Sequence, residues 1–202
     1  MRYMVRKISC EKEICQCERF EIKNLLWGTK SIPQTYGFMG VIPEQGFYIE
    51  IFCEETNPLA VYKENNEPVY KDSAVEVFLQ LSDGQGLSPV YLNFEMNANG
   101  ALLAGFGEER KNRKSFSADE MKYFCCEAEQ GMTGWKICLH IPGCILKKVY
   151  GMVHLESGTR MACNFYKISE TKSIEHYASF SPIVSESPSF HLPEYFAKAV
   201  IE

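Results

Sequence analysis

The chain has 202 residues, 46% of them hydrophobic and 13% aromatic, enough apolar material for one substantial core, and residues 1–202 read as a single domain. Its formal net charge of -5 excludes the basic excess that a nucleic-acid partner or an anionic membrane surface requires. The opening residues Met1-Arg2-Tyr3-Met4-Val5-Arg6-Lys7 hold no apolar run that fits a signal-peptide core or a membrane span, which sets the expectation of a cytoplasmic protein.

Nine cysteines make an odd number, irregularly spaced, and are expected as reduced thiols. Cys10, Cys15 and Cys17, Cys125 with Cys126, and Cys138 with Cys144 lack the paired knuckles of a structural zinc site, so no metal is expected.

Taken in chain order, the elements follow a period of two. In residues 46–54, Phe47, Ile49, Ile51 and Cys53 face one way while Tyr48, Glu50, Phe52 and Glu54 face the other. Residues 74–81 repeat the pattern, with Val75, Val77, Leu79 and Leu81 opposed to Glu76, Phe78 and Gln80. The turn-rich residues 82–89 lead into residues 90–97, where Val90, Leu92, Phe94 and Met96 oppose Tyr91, Asn93, Glu95 and Asn97, so the two segments predict an antiparallel hairpin. Asn99-Gly100 supplies the next turn.

The charged residues 108–114 read as a solvated loop. Trp135, Ile137, Leu139 and Ile141 form the apolar side of another strand that stops at Pro142, and residues 145–150 suit a turn or two of helix. Residues 161–168 alternate again, with Asn164 and Tyr166 opposed to Cys163 and Phe165; a second short helical turn fits around Glu194. Many short strands between Gly, Pro and Asn turns predict an all-β fold, an antiparallel two-sheet β-sandwich of jelly-roll or immunoglobulin-like type with minimal helix.

Signatures of several chemistries are missing. Residues 100–107 are glycine-rich but lie among strands and lack the Lys-Ser/Thr ending of a phosphate loop. No Gly-x-Ser-x-Gly elbow occurs, and His140, His154, His176 and His191 are scattered without metal-ligand spacing. Glu76 and Glu95 share a facing on neighbouring strands, which leaves a glycoside-cleaving pair open as an alternative. Tyr70 and Phe190 flank the strand cores, and Glu76, Asn93, Glu95, Asn97, Asn164 and Tyr166 oppose the apolar sets. Pattern alone leaves that surface either a sugar-binding face, with rings to stack and planar polar groups to bond hydroxyls, or a plain wet face.

Five ordered segments carry a resemblance. Pro68-Val69-Tyr70-Lys71-Asp72-Ser73-Ala74-Val75-Glu76-Val77-Phe78 is similar to the aromatic-x-x-Asp-Ser-Val-Glu-Val-Phe run of the family 9 carbohydrate-binding modules, a DOMON-like β-sandwich family. The run from Tyr91 to Gly100, the Trp135 strand ending in Ile141-Pro142, Asn164-Phe165-Tyr166, and Ser179-Phe180-Ser181-Pro182 with the run from Pro188 to Phe196 resemble its later motifs in order. The resemblance implies a non-catalytic domain that holds a mono- or oligosaccharide, often a glycan end, between two aromatic rings, and that associates with a glycoside hydrolase. No cofactor is implied.

By position, Tyr70 and Phe190 would be the two rings. Glu76 would bond sugar hydroxyls, Asn93 falls where better known members carry Arg, and Glu95, Asn164 and Tyr166 would line the site. Lys71, Arg110, Lys167 and His191 are neighbours of these motifs and complete the candidate set. Asp72 reads as structural, tying down a turn through backbone N–H groups. Other readings are an interaction module that keeps the fold without a sugar site, or a haem-binding relative of the sandwich.

Overall fold

The computed structural model describes residues 1–83, 86–151 and 153–202; Gly84 and Gln85 of the expected turn at 82–89 lie outside the described residues. Along the chain run β1 (Arg2–Lys7), β2 (Arg19–Ile22), β3 (Asn24–Leu25), β4 (Thr35–Ile42), β5 (Gly46–Cys53), β6 (Ala74–Leu81), β7 (Tyr91–Asn97), β8 (Leu102–Gly107) and β9 (Lys114–Ser115). The short helix α1 (Ala118–Met121) precedes β10 (Cys125–Gln130) and β11 (Trp135–Pro142). Then come α2 (Gly143–Tyr150), β12 (Arg160–Ser169), β13 (His176–Ser179) and β14 (Ala197–Ile201).

Neighbouring strands follow the order β10-β11-β5-β4-β1-β14-β12-β6-β7-β8-β9, with β2 on β4 and β13 between β12 and β3. The sheet curls at β1, whose first half pairs with β14 and whose second half pairs with β4, so two layers face each other across one core. Both of those pairings are parallel. The expected sandwich is therefore mixed rather than purely antiparallel, because one strand has to run alongside both layers where the sheet folds over.

The alternation in the sequence is what the core uses. Phe47, Ile49 and Ile51 of β5, Val75, Val77 and Leu79 of β6, and Ile137, Leu139 and Ile141 of β11 are all buried. Between the layers, Phe20 and Phe165 stack at 3.7 Å between centroids, with Tyr3 and Phe180 edge-on around them. Gly37 leaves room for this stack, since a Cβ there would meet the Phe20 ring at 2.5 Å and the Glu50 carbonyl at 2.2 Å. Asp72 behaves as a turn anchor: its Oδ2 accepts from the N–H groups of Val61 and Tyr62 and from Asn97 Nδ2.

Candidate functional site

On β6, β7 and β12 one set of side chains enters the core, and the other set is not a wet face. Register places Tyr166, Glu76 and Glu95 in one row across the three strands, and Asn164, Phe78 and Asn93 in the next. A second apolar cluster roofs these rows. Ile183, Phe190 and Phe196 of the C-terminal loop pack with Leu26, Phe78, Tyr91 and Tyr166. The roof is incomplete over the first row, where a cavity of about 250 Å³ remains. That volume lies just under the usual ~300–1,000 Å³ of small-molecule pockets, so it suits a compact ligand.

Three half-buried rings border the opening: Trp27, Tyr70 and Tyr177. Trp27 is held by its Nε1–H donating to the Ser185 carbonyl at 2.9 Å, and it meets Tyr177 edge-on. Tyr70 is fixed from below, because its carbonyl accepts from the Glu170 N–H at 2.9 Å. Phe190 also lines the cavity but is only 5% exposed, with its ring stacked on Tyr166 at 4.1 Å. It forms an inner wall, and the rings with free surface are the other three.

The floor is acidic. Glu76 is 3% exposed and Glu95 7%, and they stand opposite each other on paired strands. Burial, and then the charge of Glu95, push the Glu76 carboxyl well above the usual carboxylate range. Burial raises Glu95 to about 7, against the pull of the Asn93 hydrogen bond and of Arg113. The pair consequently holds a proton near neutrality, as two facing, buried carboxylates do.

Arg113 is the residue the sequence hid in a charged loop. Its Nε and one terminal nitrogen donate to Asn93 Oδ1 at 2.9 and 2.6 Å, and Asn93 Nδ2 donates onward to Glu95 at 3.0 Å. The guanidinium lies over the Tyr91 ring at 4.4 Å. Asn93 thus fills the position where the resemblance expected Arg, and a guanidinium reaches the same spot from another strand connection. Gly105 makes room for this approach, since a Cβ there would stand 3.3 Å from Asn93 Oδ1. Arg113→Ala is expected to lower stability by about 1–3 kcal/mol through the orphaned Asn93 acceptor, and to move the Glu95 titration midpoint above about 7. A carboxyl NMR titration that leaves the midpoint in place would contradict the relay.

Of the residues singled out from sequence, Tyr70, Glu76, Glu95, Arg110, Phe190 and His191 line the cavity. His191 pairs through Nδ1 with the Tyr91 hydroxyl at 3.0 Å; burial, helped by Arg113 and Arg110, pulls it down to about 3, so it is neutral. Asn93 and Tyr166 stand one layer behind. Asn164 is a clasp, bonding the Ser181 carbonyl and N–H and the Phe165 N–H. Lys71 is exposed and outside the lining, and its backbone is what is engaged: its carbonyl accepts from Ser169 and Thr171, and its N–H donates to the Pro68 carbonyl.

Lys167 requires a correction. It shares the parity of Cys163 and Phe165, so it points into the sandwich, fully buried, rather than toward the cavity. Its Nζ contacts Ser73 Oγ at 2.5 Å, His176 Nε2 at 3.1 Å and Glu55 at 3.7 Å. Sequence reasoning missed Trp27, Arg113, Glu170 and Tyr177. Trp27 sits in a loop at a positive φ of 47°, outside any periodic segment.

Among the described residues no group of three or more His, Cys, Asp or Glu is placed to hold a metal ion, and no helix is long and apolar enough to cross a membrane.

A sequence profile described as Carbohydrate-binding family 9 matches residues 10–201. No curated protein matches the chain significantly. Among solved structures, a protein from Bacteroides uniformis assigned to carbohydrate binding superposes with a TM-score of 0.85 at 21% identity, covering 100% of this chain and 99% of that one. A family 9 carbohydrate-binding module from Caldicellulosiruptor kristjanssonii, solved with cellotriose, gives a TM-score of 0.66 at 13% identity and covers 100% of this chain and 94% of that one. The same module solved with glucose gives 0.66 at 13%, covering 100% and 96%. These likenesses establish the fold.

Proposed function

Because this chain belongs to carbohydrate-binding family 9, we propose that it binds the end of a mono- or oligosaccharide in the cavity over Glu76 and Glu95, by stacking and hydrogen bonding and with no covalent step. The observation that carries this reading is the combination at one opening of half-buried rings, Trp27, Tyr70 and Tyr177, with buried carboxylates beneath them. Rings cover the apolar face of a pyranose, and a sunken carboxylate accepts from its hydroxyls. A cavity of about 250 Å³ suits one terminal ring, with any further residues of the glycan leaving through the mouth.

The same reading makes a glycoside hydrolase the fitting functional partner, one that the bound glycan end would bring together with this domain. Nine free thiols suit a reducing compartment such as the cytoplasm.

Calorimetry with glucose and cellotriose tests the proposal. The full chain is expected to bind at least one of them, and Tyr70→Ala to weaken that binding about tenfold, because a half-exposed ring contributes roughly 1–3 kcal/mol at a binding site. Its melting temperature should stay where it was, since Tyr70 is only partly buried. Equal affinity for parent and variant would remove Tyr70 from the site, and no heat with either sugar would count against the function.

A further inference from the structure

We propose that the preferred occupant of this cavity is an amino sugar, its ammonium group seated at the Glu76–Glu95 pair among the half-buried rings. The inference rests on the carbohydrate reading above and narrows its ligand class. Its first support is Glu76. This side chain is 3% exposed, lines the cavity, and among the described residues has no hydrogen bond or ion pair. A carboxylate that takes no partner from the protein and opens into a cavity is free to accept from a donor on the ligand.

The second support is the charge around it. Glu95 faces Glu76 across the strand pair and takes one protein hydrogen bond, from Asn93. Glu170 lines the same space, so three carboxylates meet one guanidinium, that of the exposed Arg110. Arg113 is occupied by Asn93 and by the Tyr91 carbonyl, and His191 is neutral. Tyr166 and Tyr91 on the packed strands, and Tyr177 at the mouth, are held protonated chiefly by burial. A neutral hydroxyl donates one bond and brings no positive charge, so the pair keeps its shared proton. An ammonium brings three donors and a positive charge, and rings at the mouth favour a cation as well as a pyranose face. Anionic sugars meet repulsion.

Proton linkage gives the proposal a signature. The empty pair holds a proton near neutrality, and an ammonium has to displace it, so amino-sugar affinity falls as pH drops below about 7. A neutral sugar displaces no proton and shows no such fall.

The test is calorimetry of the full chain with glucosamine, glucose and glucuronate. At about pH 7, glucosamine is expected to bind roughly tenfold tighter than glucose, with glucuronate weakest, and at about pH 5.5 its advantage should shrink to about threefold or less. Glu76→Gln should erase the advantage of glucosamine over glucose; if that variant does not fold, the pH profile of the parent decides. Glucose binding as tightly as glucosamine at about pH 7, or an advantage independent of pH, overturns the amino-sugar assignment and leaves the carbohydrate reading standing. Binding of none of the three overturns both.

Discussion

Lys167→Ala is expected to destabilise the fold by about 3–5 kcal/mol, the range for removing one partner of a buried ion pair. Lys167 is fully buried, and its ammonium is the cation that Glu55 and Ser73 share inside the sandwich. Ser73 Oγ donates to Glu55 at 2.5 Å and Trp135 Nε1 donates to the same carboxylate at 3.0 Å, so removing the lysine strands a desolvated anion rather than an isolated group. The pH dependence fixes the cause. Burial alone would raise the Glu55 carboxyl, but Lys167 and its hydrogen bonds outweigh burial and hold it low. A carboxyl with a depressed native pKa stabilises the fold above its unfolded value of about 4.3, and that contribution is lost as pH falls through the native value. The deficit of the variant should therefore be largest near neutrality and shrink in acid, where Glu55 protonates. Urea unfolding across pH measures this; a deficit below about 1 kcal/mol, or one constant with pH, would contradict the buried-pair account.

Phe190→Ala is expected to be the other large change, and of a different kind from Tyr70→Ala. The Phe190 ring is 5% exposed, stacked on Tyr166 and flanked by Trp27 at 5.5 Å. Its loss opens a void between the C-terminal loop and the sheet, for which about 3–5 kcal/mol is typical. In a domain of this size that corresponds to a fall in melting temperature on the order of 10 °C. Sugar affinity should fall too, because the inner wall of the cavity goes with the ring. A variant that melts like the parent would show that the loop does not roof the sheet as described.

Much of this was legible in the sequence where a side chain's surroundings follow from its own strand. Alternation located β5, β6, β7, β11 and β12 and their inward faces, and it gave Glu76 and Glu95 the same facing on neighbouring strands, while their direct opposition came from the register. The parity of Lys167 also followed from Cys163 and Phe165, and only the pull of the family motif set it beside the sugar site. What the pattern could not carry was long-range. Nothing local in residues 2–7 states that β1 will run parallel to both β4 and β14. Polar positions opposite an apolar set look wet until a loop a hundred residues later covers them, as Phe190 and Phe196 cover Phe78 and Tyr91. Trp27 and Arg113 reach the site from loops, where residue spacing carries no facing, and Arg113 looked like any solvated charge of its segment.

On the proposed function, a sugar end enters the cavity over Glu76 and Glu95. The chain has two tryptophans, Trp27 beside that cavity and Trp135 buried 3% exposed in the core, so their indole N–H signals report two separate places. A two-dimensional NMR titration with glucose, and with glucosamine, should shift the Trp27 indole signal in a saturable way and leave that of Trp135 in place. A saturable shift confined to signals away from the cavity, or no shift at millimolar sugar, would contradict the account.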